Sequence, residues 1–120
     1  MTGMQTKQMK RWTVRGAAAA ALVAGTLGVA HADVGDGLKV ARSNACMGCH
    51  AVDRKLVGPS FKDIAARYKS DPQAVAKLSK KVKDGGSGVW GAIPMPAHPR
   101  MSDADVRSVV EWVLAGAPSK

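Results

Sequence analysis

The sequence predicts an all-α fold, a small globule of about four short helices in one domain. Three observations point there. Apolar residues recur at spacings of three and four in four separate segments, each segment is bracketed by helix start and stop residues, and no run alternates apolar and polar side chains as a half-buried strand would. The chain is also short. Its beginning carries Lys7, Lys10, Arg11 and Arg15, then an unbroken small and apolar run from Gly16 to Ala30, then Ala30-His31-Ala32, the small-residue pattern that a signal peptidase reads. That run falls short of the roughly 20 apolar residues that span a bilayer. Residues 1–32 therefore read as a cleaved secretory signal, with an uncleaved anchor as the alternative, and residues 33–120 as the one folded domain. His31 belongs to the leader.

Each helix has its own signals. In the first, Leu38, Ala41 and Ala45 fall on one face between Asp36 and Ala45. The second follows Val57-Gly58-Pro59, where Ser60 with Asp63 reads as an N-terminal cap and Phe61, Ile64, Ala65 and Tyr68 line one side over about two turns. For the third, Asp71-Pro72 offers a capping carboxylate and a proline at the first helical position. Val75, Leu78 and Val82 make its stripe, and Gly85 stops it. Ser102 with Asp105 opens the last helix, in which Val106, Val109, Val110, Val113 and Leu114 repeat at three and four before Gly116 and Pro118. Valine is an indifferent helix former, but here the spacing outweighs the propensity.

A domain this small, with one Phe and one Tyr, is short of large side chains for a core. The whole-chain charge is +9, and without the four basic residues of the leader it falls to +5. No nucleic-acid motif or arginine cluster accompanies that charge, so acidic protein partners fit it better than nucleic acid. Lys77, Lys80, Lys81 and Lys83 crowd the end of the third helix, and Lys80 and Lys83 read as solvated.

The chemistry lies in Cys46-Met47-Gly48-Cys49-His50. Such a motif can be a redox dithiol, half of a zinc site, or the attachment site of a c-type haem, whose iron takes the following His. A structural zinc site wants four Cys or His ligands, and the chain has two cysteines in all, with His31 and His98 standing alone. A thioredoxin-like pair wants a βαβ context, which no run before Cys46 supplies. Haem attachment needs only what is present: two thiols for two vinyl groups and an imidazole held beside them.

Between Gly85 and Arg100 lies GGSGVWGAIPMPAHPR, a long segment without periodicity. Loops of that length in compact domains are usually functional or disordered, and Val89, Trp90, Ile93 and Met95 are too apolar for water. A haem lying against the loop would cover them. Met95 is then the favoured distal ligand, a soft thioether whose pairing with His raises the potential, flanked by Pro94 and Pro96, which stiffen the backbone. Met101 and His98 are weaker candidates, and an open distal site is the remaining one.

CMGCHAVDRKLVGPSFKDIAARY, GVWGAIPMP and the closing EWVLAG resemble the small bacterial class I cytochromes c, in particular the cytochrome c-551 family. The resemblance covers nearly the whole of residues 33–120. It implies an all-α globule whose first and last helices cross near one covalently attached haem c, with thioethers at Cys46 and Cys49 and His50 and Met95 as axial ligands. It also implies that the Pro59 carbonyl accepts a hydrogen bond from His50, that the Trp90 indole donates to a haem propionate, and that Lys81 stands near that propionate. His98 departs from the pattern, which commonly has an Asn three residues after the Met, and the stretch to Ser102 is one residue longer.

With both axial positions filled by protein, no substrate reaches the metal, and one-electron exchange is the chemistry left. The expected function is a carrier, not an enzyme. The resemblance implies a periplasmic monomer that shuttles electrons between quinol-cytochrome c oxidoreductase and a terminal oxidase or nitrite reductase through transient, charge-steered contacts, with no stable membrane insertion after cleavage.

Overall fold

A computed structural model of the chain describes Gly25 and residues 34–119, so the expected leader apart from Gly25, and its cleavage site, lie outside the described residues. The last helix organises the rest. It is α4, Asp103–Leu114, and the three helices before it, α1 (Val34–Ser43), α2 (Phe61–Tyr68) and α3 (Ala74–Asp84), all pack on it. Its sequence explains why. Val106, Val109, Val110, Trp112 and Val113 are all buried and form one broad face covering nearly half of its circumference, wide enough for the other helices to pack against it. The Ser102 hydroxyl caps it by accepting from the Asp105 N–H at 3.0 Å, and Asp103 and Asp105 place negative charge where the helix dipole favours it. At the other end the Ala117 N–H donates to the Trp112 carbonyl at 3.0 Å, and the Trp112 indole donates to the Pro118 carbonyl at 2.9 Å. The chain end is thereby folded back under the largest buried side chain.

The crossing of α1 and α4 depends on one missing side chain. A Cβ built on Gly37 would collide with the Trp112 Cβ and the Ser108 carbonyl, so the two backbones approach as only glycine allows. Ala41, fully buried one turn later, continues the contact. On α2, Phe61 and Ile64 face the same core, and the Ser60 cap operates as its sequence suggests, accepting from the Asp63 N–H at 3.0 Å.

Two expectations are adjusted. The third helix begins at Ala74, two residues beyond Pro72, because the Asp71 carboxylate accepts from the Gln73 N–H at 2.8 Å and the Ala74 N–H donates to the Asp71 carbonyl at 3.1 Å. Asp71 makes a turn that leads into the helix and is not the cap itself, the position that Gln73 takes. The segment after α3 also has structure: β1 (Gly86–Gly88) pairs antiparallel with β2 (Gly91–Met95), with Gly86 opposite Met95 and Gly88 opposite Gly91. Period-two alternation could not announce it, since three of its residues are glycines with positive φ.

Candidate haem-binding site

The Cys46-to-His50 motif is wound into a tight turn directly after α1. Ala45 adopts a left-handed conformation, φ 58°, and a short 3₁₀ turn over Cys46–Gly48 follows. Both the Cys49 and His50 N–H groups then donate to the Cys46 carbonyl, at 3.2 and 3.0 Å. The two thiols and the imidazole are thus presented from one compact turn, which the Gly58 N–H ties to the following loop by donating to the Cys49 carbonyl at 2.8 Å.

The His50 ring is held on three sides. Its Nδ1–H donates to the Pro59 carbonyl at 2.7 Å, since a carbonyl can only accept. Phe61 stacks on it with ring centroids 5.2 Å apart and an interplanar angle of 23°. Gly58 closes the third side, where a Cβ would stand 2.6 Å from the His50 Cε1. Phe61 also meets Trp112 edge-on at 5.1 Å, so the ring's orientation is tied to the central helix. With Nδ1 committed as a donor, the lone pair of Nε2 is left for a metal.

His50, Cys46 and Cys49 line a cavity of about 270 Å³ whose walls are largely apolar, including Ile64, Leu78, Val109 and Val113. The hairpin forms another wall and contributes Trp90, Ile93 and Met95. Met101 and His98 are not among its lining residues. Met101 is buried in the protein core, and the His98 N–H donates to the Val82 carbonyl at 3.0 Å.

Several large apolar side chains on this cavity are poorly covered by protein. Ile93 is 67% exposed and Val57 51%, with Val89 and Trp90 above two-fifths or at it. Leaving such groups in water costs roughly 25 cal/mol for each Å² of apolar surface, so a flat apolar group filling the cavity would stabilise the protein through them. The residues present fit a haem: two thiols, an imidazole with a free Nε2, a thioether and an apolar enclosure. They fit a dithiol redox centre poorly. Burial pushes the Cys46 thiol above its ordinary value, against which a backbone hydrogen bond works and to which the nearby Cys49 adds, whereas a reactive thiol needs the opposite shift.

Of the remaining predicted residues, Trp90 lies on the cavity with the Arg67 guanidinium 4.9 Å from its ring centroid. Lys81 also lines it, its ammonium 3.4 Å from the Gly85 carbonyl. Lys83 is not the solvated charge expected of it. Its side chain is 29% exposed, and its ammonium donates to the Met101 carbonyl and pairs with Asp103 at 3.0 Å. Lys80, as expected, is well exposed, although it pairs with Asp84. Gly58 and the stacking role of Phe61 were missed in the sequence, because both are contacts across a loop that no local pattern encodes.

Fold and site together define a cytochrome c. The sequence model of the cytochrome c family matches residues 34–117, and the chain belongs to that family, which carries covalently attached haem c. Within it, the chain is a small class I member of the c-551 kind. It is 46% identical over 103 residues to cytochrome c-552 of Nitrosomonas europaea, covering 86% of this chain and 93% of that one. It is likewise 46% identical over 78 residues to cytochrome c-551 of Azotobacter vinelandii, covering 65% of this chain and 94% of the relative. The crystal structure of the wild-type Nitrosomonas europaea protein superposes with a TM-score of 0.63 over 65% of this chain and 96% of that one.

Proposed function

We propose that the chain is a periplasmic one-electron carrier, reached through cleavage of residues 1–32, with its iron held between His50 and Met95. Members of its family of the c-551 and c-552 kind are electron carriers. The observation that carries the finer reading is the Nδ1–H of His50 bound to the Pro59 carbonyl at 2.7 Å, on a cavity that Met95 also lines.

When bound, haem c supplies a metal centre that gains and loses one electron. The chain's residues determine how. Cys46 and Cys49 would each hold the group through a thioether, tying it to the turn after α1. The Pro59 carbonyl fixes the tautomer and plane of His50 and makes its Nε2 a stronger donor. Met95 donates less charge to the oxidised state than a second His would, which raises the potential. Apolar walls exclude water, so little solvent rearranges as charge comes and goes. The Trp90 indole would donate to a propionate, with Lys81 standing near it. With His50 and Met95 both committed to the iron, the site would leave no place for a substrate, so the protein would act as a carrier and not as an enzyme. As a monomer it docks transiently with acidic surfaces on partners such as quinol-cytochrome c oxidoreductase, a terminal oxidase or a nitrite reductase.

Ligation is tested by comparing two methionine variants. Met95→Ala should remove the long-wavelength absorption band of iron–methionine bonding and lower the reduction potential. Met101→Ala should keep the band and the potential while costing about 2–5 kcal/mol of stability, as expected for a truncated core side chain. The reverse pattern would exclude Met95.

A further inference from the structure

The hairpin carrying Met95 leaves and rejoins the body of the protein at one place, the last turn of α3. On the outgoing side the Gly85 N–H donates to the Lys81 carbonyl at 2.8 Å. Gly85 has φ 66°, and a Cβ there would run into the Met95 carbonyl and the Ala97 nitrogen, so the returning strand lies directly on it. On the incoming side the His98 N–H donates to the Val82 carbonyl at 3.0 Å, and the Met101 N–H donates to the His98 carbonyl at 3.2 Å. Those bonds are all backbone to backbone. Lys83 adds a side-chain tie, from α3 to the Met101 carbonyl and to Asp103 at the start of α4.

From this geometry we infer that Lys83 is a positioning residue for the hairpin and, through it, for Met95. The inference rests on the reading of Met95 as the distal ligand. A charged donor on a carbonyl makes a strong hydrogen bond, and Met101 is buried at 7% exposure, so removing the donor leaves the acceptor poorly compensated. The Asp103 half of the interaction counts for less, because that side chain is 97% exposed and its ion pair is screened. The lysine stem is three-tenths exposed or less, and methionine can replace it with little change of packing. The purpose of such a tie is to keep the foot of the hairpin closed, so that the thioether stays where the cavity needs it.

The test uses the haem-loaded ferric protein and imidazole as a competing ligand. Imidazole binds only when the hairpin releases its sulfur, so its apparent affinity reports the open fraction. Lys83→Met should raise that affinity about tenfold, Lys83→Arg should restore most of the wild-type value, and Asp103→Asn should change it about twofold or less. Amide exchange in Lys83→Met should quicken at Gly85 and His98 relative to the buried positions of α4. An unchanged imidazole affinity together with unchanged exchange at those two amides would overturn the inference, as would a uniform acceleration throughout the chain, which marks a merely structural lysine. Met95→Ala separates the two readings. Wild-type imidazole affinity in that variant removes Met95 as ligand, and the exchange comparison then decides the anchoring of the hairpin alone.

Discussion

The helical framework and the hairpin are both rich in apolar residues, yet they treat them oppositely. In α4, Val106, Val109, Val110 and Val113 are all less than a tenth exposed, covered by α1, α2 and α3. In the hairpin, Ile93 is two-thirds exposed and Val89 and Trp90 about two-fifths. The first region is covered mainly by protein, although Val109 and Val113 also reach the cavity, whereas the second lies open on the cavity, where a haem would cover it. An exposed apolar stretch of this kind marks a binding surface, because a free chain gains nothing by displaying it.

The strongest way to break the comparison is to withhold the cofactor. Cys46→Ala/Cys49→Ala, expressed without attachment, should be largely unfolded by far-ultraviolet circular dichroism, since the framework of so small a domain does not suffice alone. Native helicity in that protein would show that the framework is self-sufficient after all.

Next in size are changes within the framework. Trp112→Ala in the haem-loaded protein should cost about 3–5 kcal/mol in denaturant unfolding, and Gly37→Ala about 1–3 kcal/mol through the collision with Trp112. Ile93→Ala should cost less than Trp112→Ala. Equal losses would mean that the hairpin is as much a part of the cooperative core as α4.

Partner docking should be sensitive to charge on the rim and less so on α3. Among the described residues Lys77 pairs with Asp71, Lys80 with Asp84 and Lys83 with Asp103, so much of the α3 charge is internally offset. Lys55 lines the cavity and forms no ion pair among the described residues. Lys55→Glu should lower the electron-transfer rate with an acidic partner at low ionic strength by more than Lys80→Glu does, and the difference should vanish at high salt. Stopped-flow rates across an ionic-strength series measure both.

The smallest effect concerns acid. The Lys77 ammonium donates to Asp71 and, with the Gln73 N–H, holds that carboxyl below its ordinary value. A carboxylate whose folded value is depressed adds stability above the unfolded value of about 3.9 and loses it as pH falls through the folded one. Lys77→Met should therefore lower the melting temperature slightly at neutral pH and flatten its fall on the acid side, the two proteins converging at low pH. Since Asp71 is at the surface, the change is small.

How much of this could be read in advance depended on the range of the interaction. Ser60 and Ser102 cap their helices through bonds to residues three positions on, and both were legible, as was the motif from Cys46 to His50. The start of α3 was misplaced by two residues because a carboxylate can serve a turn or a cap with the same atoms. The hairpin escaped notice because glycines carry no pattern of faces.

By itself the sequence determined the four helices, the Ser60 and Ser102 caps, the chemistry of the two thiols and the imidazole, and the need for something large and apolar beside the segment after Gly85. All of these follow from spacing, residue type and hydrogen bonds within a few positions. Tertiary structure alone decided which residues meet across the chain. Gly37 meets Trp112, Gly58 lies on His50, and Lys83 reaches Met101. Each joins residues across a loop or between separate elements, and a contact of that kind is selected by how the chain packs around α4, which no local signal records.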